Sequence, residues 1–199
     1  MRIYYLLLMF ILVSCVGIPT DYPENEYFGF SKENIPKVLE QSLPISIFID
    51  DVSMSPEYDD IYIKSIDGDN KVEKYIYYKW IASPSEMIQN YYSTLILKSN
   101  IFGNGVYTFK KRTIPDYILN IDVIQFDAYE ENVEMTINFT LIKILTNKTS
   151  NKLILQKSFT KLIERENSKA RSIPLAFNAA LEEISTDFIN DITTLLKND

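Results

Sequence analysis

Among the charged side chains in this sequence that could do chemistry, carboxylates lead, 27 against 20 lysines and arginines. Asp50-Asp51 and Asp59-Asp60 are adjacent pairs of the kind that could hold a hard cation or divide acid and base roles. Neighbours on a strand point to opposite faces, so such a pair rarely makes one site, and solvated strand ends account for both. Asp67-Gly68-Asp69-Asn70 has the opening of a calcium-binding loop. Tyr78 stands where the twelfth-position bidentate Glu is needed, so a hairpin turn is expected instead. The chain has 199 residues, no histidine and one cysteine. Zinc sites, Ser-His-Asp and Cys-His catalysis and imidazole general bases are therefore excluded. No catalytic residue, metal ligand or cofactor is expected, and the chain reads as a non-enzyme.

The remaining polar motifs are weaker. Lys110-Lys111-Arg112 is the one cationic cluster, a solvated strand end or a partner contact. Asn138-Phe139-Thr140 and Asn147-Lys148-Thr149 fit the glycosylation sequon, but Asn138 falls in the middle of an expected strand. The 14 tyrosines and 11 phenylalanines are mainly strand and core material. Tyr77, Tyr78 and Trp80 are the candidates for a protein- or lipid-contact surface.

The single cysteine carries the most information. Residues 3–15, IYYLLLMFILVSC, are an apolar run behind Arg2, with the n-region and h-region of a secretory signal. The run is too short for a comfortable membrane-spanning helix, which needs roughly 20 residues. Leu12-Val13-Ser14-Cys15 resembles the lipobox of bacterial lipoproteins. That resemblance implies diacylglyceryl transfer to the Cys15 thiol, cleavage between Ser14 and Cys15, and acylation (palmitate or a similar chain) of the new amino group. An uncleaved anchor, or an ordinary signal with an incidental cysteine, is the alternative. With Cys15 spent on lipid, the domain has neither a disulfide nor a thiol nucleophile.

Residues 15–26 then read as the lipidated N-terminus and a polar tether. Val16 is not the Asp of inner-membrane retention, which favours the outer membrane over the inner one, with the domain facing the periplasm. The formal charge of −7, one unit more negative once Arg2 leaves, argues against nucleic acid as a partner. It also leaves no polybasic patch to assist the lipid anchor.

Removing residues 1–14 leaves a length suited to one domain, 27–199. Residues 27–30 read as a short strand, 31–42 as a loop with a helical turn, and 45–52 as a buried strand. Residues 61–66 and 72–80 alternate around the Asp-Gly connection and form a hairpin. Ser83, Pro84 and Glu86 mark a helix start, and Met87, Ile88, Tyr91, Leu95 and Lys98 carry the helix over about 84–99. Strands follow at 106–110, 117–126, 133–145 and 153–163. The second of these is apolar on both sides, as in a central strand, and the third has one wet face. Ile173, Phe177, Ala180, Leu181, Ile184, Phe188, Ile192 and Leu195 make one stripe of a closing helix over 172–197. The expected fold is α+β: a single domain with a mainly antiparallel or mixed sheet packed by two amphipathic helices.

Taken together, the ordered segments resemble the ABC-type transport auxiliary lipoproteins, which include the lipoprotein component of paraquat-inducible systems. The resemblance rests on LVSC, the short aromatic strand Tyr27-Phe28, the looser Pro56-Glu57-Tyr58, and YIYYKWIASPSEMIQNYYSTL at 75–95. Leu119-Asn120-Ile121-Asp122-Val123-Ile124-Gln125-Phe126 and Ala176-Phe177-Asn178-Ala179-Ala180-Leu181 complete it. The resemblance implies a non-catalytic docking subunit, working beside ABC transporter components or an MCE-domain protein that move lipids or other hydrophobic compounds. Self-association into a ring is compatible with that role. The alternatives are a module that itself binds a lipid or small apolar ligand, and a lipoprotein regulator of envelope or cell-wall synthesis.

Overall fold

The computed structural model describes residues 23–32, 38–109, 114–145 and 150–198. The signal and lipobox with Ser14 and Cys15, most of the tether, Lys110-Lys111-Arg112 and the sequon at Asn147 lie outside them. Residues 33–37 of the expected loop and helical turn at 31–42 do so as well.

Alternating sequence becomes strand wherever one face can be covered. A small sheet has the order β1 (Glu26–Phe28), β5 (Val72–Trp80), β4 (Tyr62–Ile66). β4 and β5 are the expected hairpin, closed by the three-residue loop Gly68-Asp69-Asn70. Asn70 is the residue in the left-handed region, at φ 61°, and Asp67 Oδ1 accepts from the amides of Asp69 and Lys71 at 3.0 and 2.9 Å. The Asp67 carboxylate is therefore a turn-closing group. β1 adds to β5 in parallel, with Phe28 opposite Trp80.

The large sheet has the order β6 (Gly105–Tyr107), β2 (Ser46–Ile49), β7 (Tyr117–Ala128), β8 (Asn132–Lys143), β9 (Lys152–Glu164). β3 (Ser53–Met54) also pairs with β7. β7, β8 and β9 form an antiparallel meander, whereas β2, β3 and β6 pair in parallel, so the sheet is mixed. The strand expected over 45–52 is thus shorter, β2 ending at Ile49, and the second strand β3 begins just beyond the expected range. Ile49 pairs with Leu119 and Ser53 with Asp122, so four steps on one side match three on the other. The surplus residue falls at Asp50-Asp51, poor strand formers that mark a bulge.

A second bulge sits at Ile124. Val123 pairs with Ile137 but Gln125 with Thr136, which leaves Ile124 unpaired and exposed. The inward phase of β7 switches there, from Leu119, Ile121 and Val123 to Phe126 and Ala128. β7 is central in order, but its second face is only half-buried. β8 follows its alternation without a slip: Val133, Met135, Ile137, Phe139 and Leu141 are fully buried. The opposite face is mostly polar, with one transverse row where register aligns Tyr107, Phe48, Ile118, Ile142 and Leu153, and with Leu162 exposed opposite Glu134.

Both helices cover the same face of the large sheet. α1 (Pro84–Ser99) starts as its sequence prescribes: Ser83 is the N-cap, its Oγ accepting from the Glu86 amide at 3.4 Å. Asp59 adds a second cap, accepting from the amide and hydroxyl of Ser85 at 2.9 and 2.8 Å. Asp59 is thus a helix-capping group and not a solvated strand end. Asn100 ends the helix at φ 60°. α2 (Ser172–Asn198) buries the predicted stripe, except that Leu196 and not Leu195 faces inward at the last turn, where a 3.6-residue period has drifted past the assigned face. Phe188 stacks on Phe139 at 4.0 Å, and Phe177 on Phe126 at 3.8 Å. Lys157 and Lys161 on edge strand β9 reach α2 through Asp191 at 2.7 Å and Asp187 at 2.9 Å. Among the described residues no helix is long and apolar enough to cross a membrane.

One buried cation ties the end of the meander together. Arg165 donates from Nε to Ser172 Oγ at 3.0 Å, from Nη2 to the Lys169 carbonyl at 3.0 Å, and from Nη1 to the Tyr129 carbonyl. Burial lowers its pKa from the usual guanidinium value. Its fork joins the β7–β8 turn to the start of α2.

Candidate functional site

The small sheet does not close completely against the helix layer. Between β4–β5, the far end of β7 and the first turns of α2 lies a cleft of about 340 Å³. Its floor is Ile63, Trp80, Phe126, Ala128, Ile173 and Phe177. Three devices already described put these side chains together. The hairpin register turns Ile63 inward, the Ile124 bulge turns Phe126 and Ala128 inward, and the α2 stripe brings Ile173 and Phe177. A volume at the small end of ligand pockets, mostly apolar with a few polar groups at its mouth, is the general form of a small-molecule site.

The mouth is polar. Glu57, Tyr58, Tyr62, Lys64 and Asp127 stand around it. Tyr58 is half-buried, and its hydroxyl donates to Asp127 Oδ2 at 3.4 Å. Burial, followed by the charge and hydrogen bond of Asp127, pushes its pKa up to about 12, so it is a hydroxyl donor throughout the neutral range. Lys64 Nζ donates to the Glu57 carbonyl at 2.9 Å and pairs with Asp60 at 3.0 Å, and Lys74 reaches the same Asp60 oxygen at 3.0 Å.

Asp60 is therefore a bridging carboxylate and not a solvated strand end. Partial burial raises its pKa, but hydrogen bonds from Lys64, Lys74 and the Tyr62 amide outweigh this and bring it down to about 2 from 3.8. A folded-state pKa below the unfolded one gives stability that is present above the unfolded pKa and lost as pH falls through the folded one. Asp60→Asn should cost about 1 kcal/mol at neutral pH, discounted for exposure at the mouth. The gap from the parent protein should shrink from about pH 4 downward and close near pH 2, as read from urea unfolding across that range.

Of the three aromatic contact candidates, the structure keeps two near the surface. Tyr77 and Tyr78 are half-buried, and Tyr78 lies 6.3 Å from both Phe28 and Tyr75. Trp80 is not a surface residue. It is 3% exposed, with its ring 5.5 Å from Phe30, 5.9 Å from Phe126 and 6.1 Å from Phe177. It terminates β5 on the core side, so it forms part of the cleft floor. The exposed apolar side chains of the small sheet are Tyr27, Val72 and Ile76.

Sequence reasoning did not find the cleft. Trp80 reads as a surface aromatic and the rest of the floor carries no signal beyond ordinary strand and helix positions, and no short-range pattern signals that two packed layers leave a gap. Tyr58 and Asp127 are 69 positions apart. Among the described residues no three metal-ligating side chains come together.

No protein-family model matches the sequence, and no curated protein does. Solved structures share the fold. A DUF330-family protein from Xanthomonas campestris superposes with a TM-score of 0.72 at 14% identity, over 87% of this chain and 98% of that one. A second, uncharacterized protein gives 0.62 at 10% identity, over 85% and 99%. Both are whole-domain likenesses, so the two sheets and two helices form one known architecture.

Proposed function

We propose that this chain is a non-catalytic, lipid-anchored periplasmic lipoprotein. It acts as an accessory and docking subunit of an ABC- or MCE-type system that moves lipids or other hydrophobic compounds across the cell envelope. The cleft under β4–β5 receives an apolar group during that work. The carrying observation is the cleft itself: buried aromatic and aliphatic side chains left open at a polar mouth. A docking domain without a ligand role has no need of such a gap, since closing it would add packing.

The placement of the chain start supports the same reading. β1 follows the tether, and its Phe28 is the register partner of Trp80 in the cleft floor. Arg171 at the start of α2 pairs with Glu26 at 2.6 Å. A lipid on Cys15 would hold the cleft within a short tether of the bilayer. MCE-domain and ABC transporter components are the partners, the outer membrane is the favoured site, and self-association into a ring is compatible with docking.

Cys15→Ala is expected to leave the fold and its thermal midpoint unchanged while moving the protein from the membrane to the soluble fraction. A single acyl chain gives only marginal attachment, so stable anchoring depends on the diacylglyceryl group carried by the thiol. Crosslinked pull-down from the Cys15-intact strain should recover an MCE-domain or ABC component. Repeated recovery of neither would refute the docking role, and a Cys15→Ala protein that stays membrane-bound would refute the anchor.

A further inference from the structure

We infer that the cleft is selective for a lipophilic ammonium ligand, an apolar body bearing a protonated amine, over a fatty acid or a neutral lipid. This rests on the reading of the cleft as a binding site and names what that site would take.

The argument turns on which polar groups at the mouth are already committed. The cation there is Lys64, and two of its three N–H donors are spent, on the Glu57 carbonyl at 2.9 Å and on Asp60 at 3.0 Å. Asp60 in turn holds Lys74 at 3.0 Å. An anionic head would have to compete with this network and would meet the carboxylates of Glu57 and Asp127 beside it. The acceptors are in the opposite condition. Asp127 is half-buried at the rim and takes the Tyr58 hydroxyl at 3.4 Å, a long bond, with the Tyr129 hydroxyl as a second donor, and both are neutral. A carboxylate has about four acceptor sites, and among the described residues no lysine or arginine pairs with this one. Glu57 accepts from Ser55 Oγ at 3.2 Å, again a neutral partner. The vacant capacity of the mouth is therefore for a charged donor.

The walls agree with the rim. Trp80, Phe126 and Phe177 in the floor, with Tyr58 and Tyr62 nearer the mouth, surround the cleft with rings. Ring faces attract cations through their quadrupole, most strongly where water is excluded. Tyr62 is already occupied, by the Lys74 and Lys79 ammonium groups 3.9 and 5.2 Å from its centroid, so the rings open to a ligand are those of Tyr58 and the floor. The ligand is a free amine and not a zwitterionic phospholipid, whose phosphate would lie against the same two carboxylates.

The chain has one tryptophan, and it forms part of the floor, so its fluorescence reports occupancy directly. The full-length protein in neutral nanodiscs would be titrated with octylammonium, octanol, octanoate and lysophosphatidylethanolamine. Octylammonium should bind about tenfold tighter than octanol, and octanoate and the lysophospholipid more weakly than either. Asp127→Asn should cut the ammonium-to-alcohol affinity ratio about tenfold. Octanoate or the lysophospholipid binding as tightly as octylammonium, or an unchanged ratio in Asp127→Asn, would overturn the ligand class while the cleft reading stands. No response of Trp80 to any of the four would overturn both.

Discussion

Phe139→Ala is expected to destabilise the domain by roughly 3–5 kcal/mol, the largest effect of any single side-chain truncation considered in this protein. Phe139 is fully buried in β8 at the junction of sheet and helix layer. Its ring stacks on Phe188 of α2 at 4.0 Å and 16°, and meets Tyr92 of α1 at 5.1 Å and Phe159 of β9 at 5.8 Å. One ring therefore joins both helices to two strands, and no neighbour can collapse into the space without leaving another contact. Tyr92 makes the loss worse. It is fully buried, burial raises its pKa, and its hydroxyl lies 3.1 Å from Ser185 Oγ, a contact that a collapsing core would displace. Urea unfolding should show a lower midpoint with an unchanged slope. Phe139→Leu should recover more than half of the loss, because it restores most of the volume without the stacking geometry.

Arg165→Ala is expected to cost roughly 2–4 kcal/mol by a different route. The guanidinium serves three acceptors of the chain, Ser172 Oγ and the carbonyls of Lys169 and Tyr129. The Lys169 carbonyl keeps the Ser172 amide and hydroxyl as donors, but the Tyr129 carbonyl and Ser172 Oγ lose the guanidinium in a buried corner. Arg165→Lys should recover little, since a point charge with one attachment cannot span both the β7–β8 turn and the start of α2. The effect should be local as well as global. Hydrogen exchange at the Arg165 amide, which donates to the Glu131 carbonyl at 2.7 Å, should speed up more than exchange in central β8. Equal acceleration throughout would mean that Arg165 supports the core and not this corner.

How much could be read in advance depended on the range over which each feature is encoded. Local rules carried α1 completely: Ser83, Pro84 and the Met87–Ile88–Tyr91–Leu95 spacing define it without reference to the rest of the chain. The α2 stripe and the β8 alternation were equally plain, because each element buries one face along its whole length. Pairing partners were harder. Nothing local says that β2, β3 and β6 join in parallel, since parallel neighbours come from distant sequence. The bulge at Ile124 was hidden for the same reason: YILNIDVIQF is apolar on both phases, and only the partner strand reveals where the phase switches.

The carboxylates show the same division. Asp59 and Asp60 looked like solvated strand ends, yet one caps α1 from 26 positions away and the other bridges two lysines of the β4–β5 hairpin. Trp80 read as an exposed aromatic because its strand is tyrosine-rich. It is buried because β5 ends against α2 and β7. The cleft exists only where the two sheets diverge, a property of layer geometry that no residue pattern records.

The central claim, a non-catalytic lipoprotein whose cleft holds an apolar group, is tested most directly by native mass spectrometry of the full-length protein taken from its own membrane in polymer nanodiscs. Ala128→Phe provides the control, because Ala128 is 3% exposed in the cleft floor and a phenyl group there would occupy the space. The parent protein should carry a bound apolar molecule, and a folded Ala128→Phe protein with the parent circular dichroism spectrum should not. A parent protein that carries nothing, or an adduct retained undiminished in Ala128→Phe, would contradict the account.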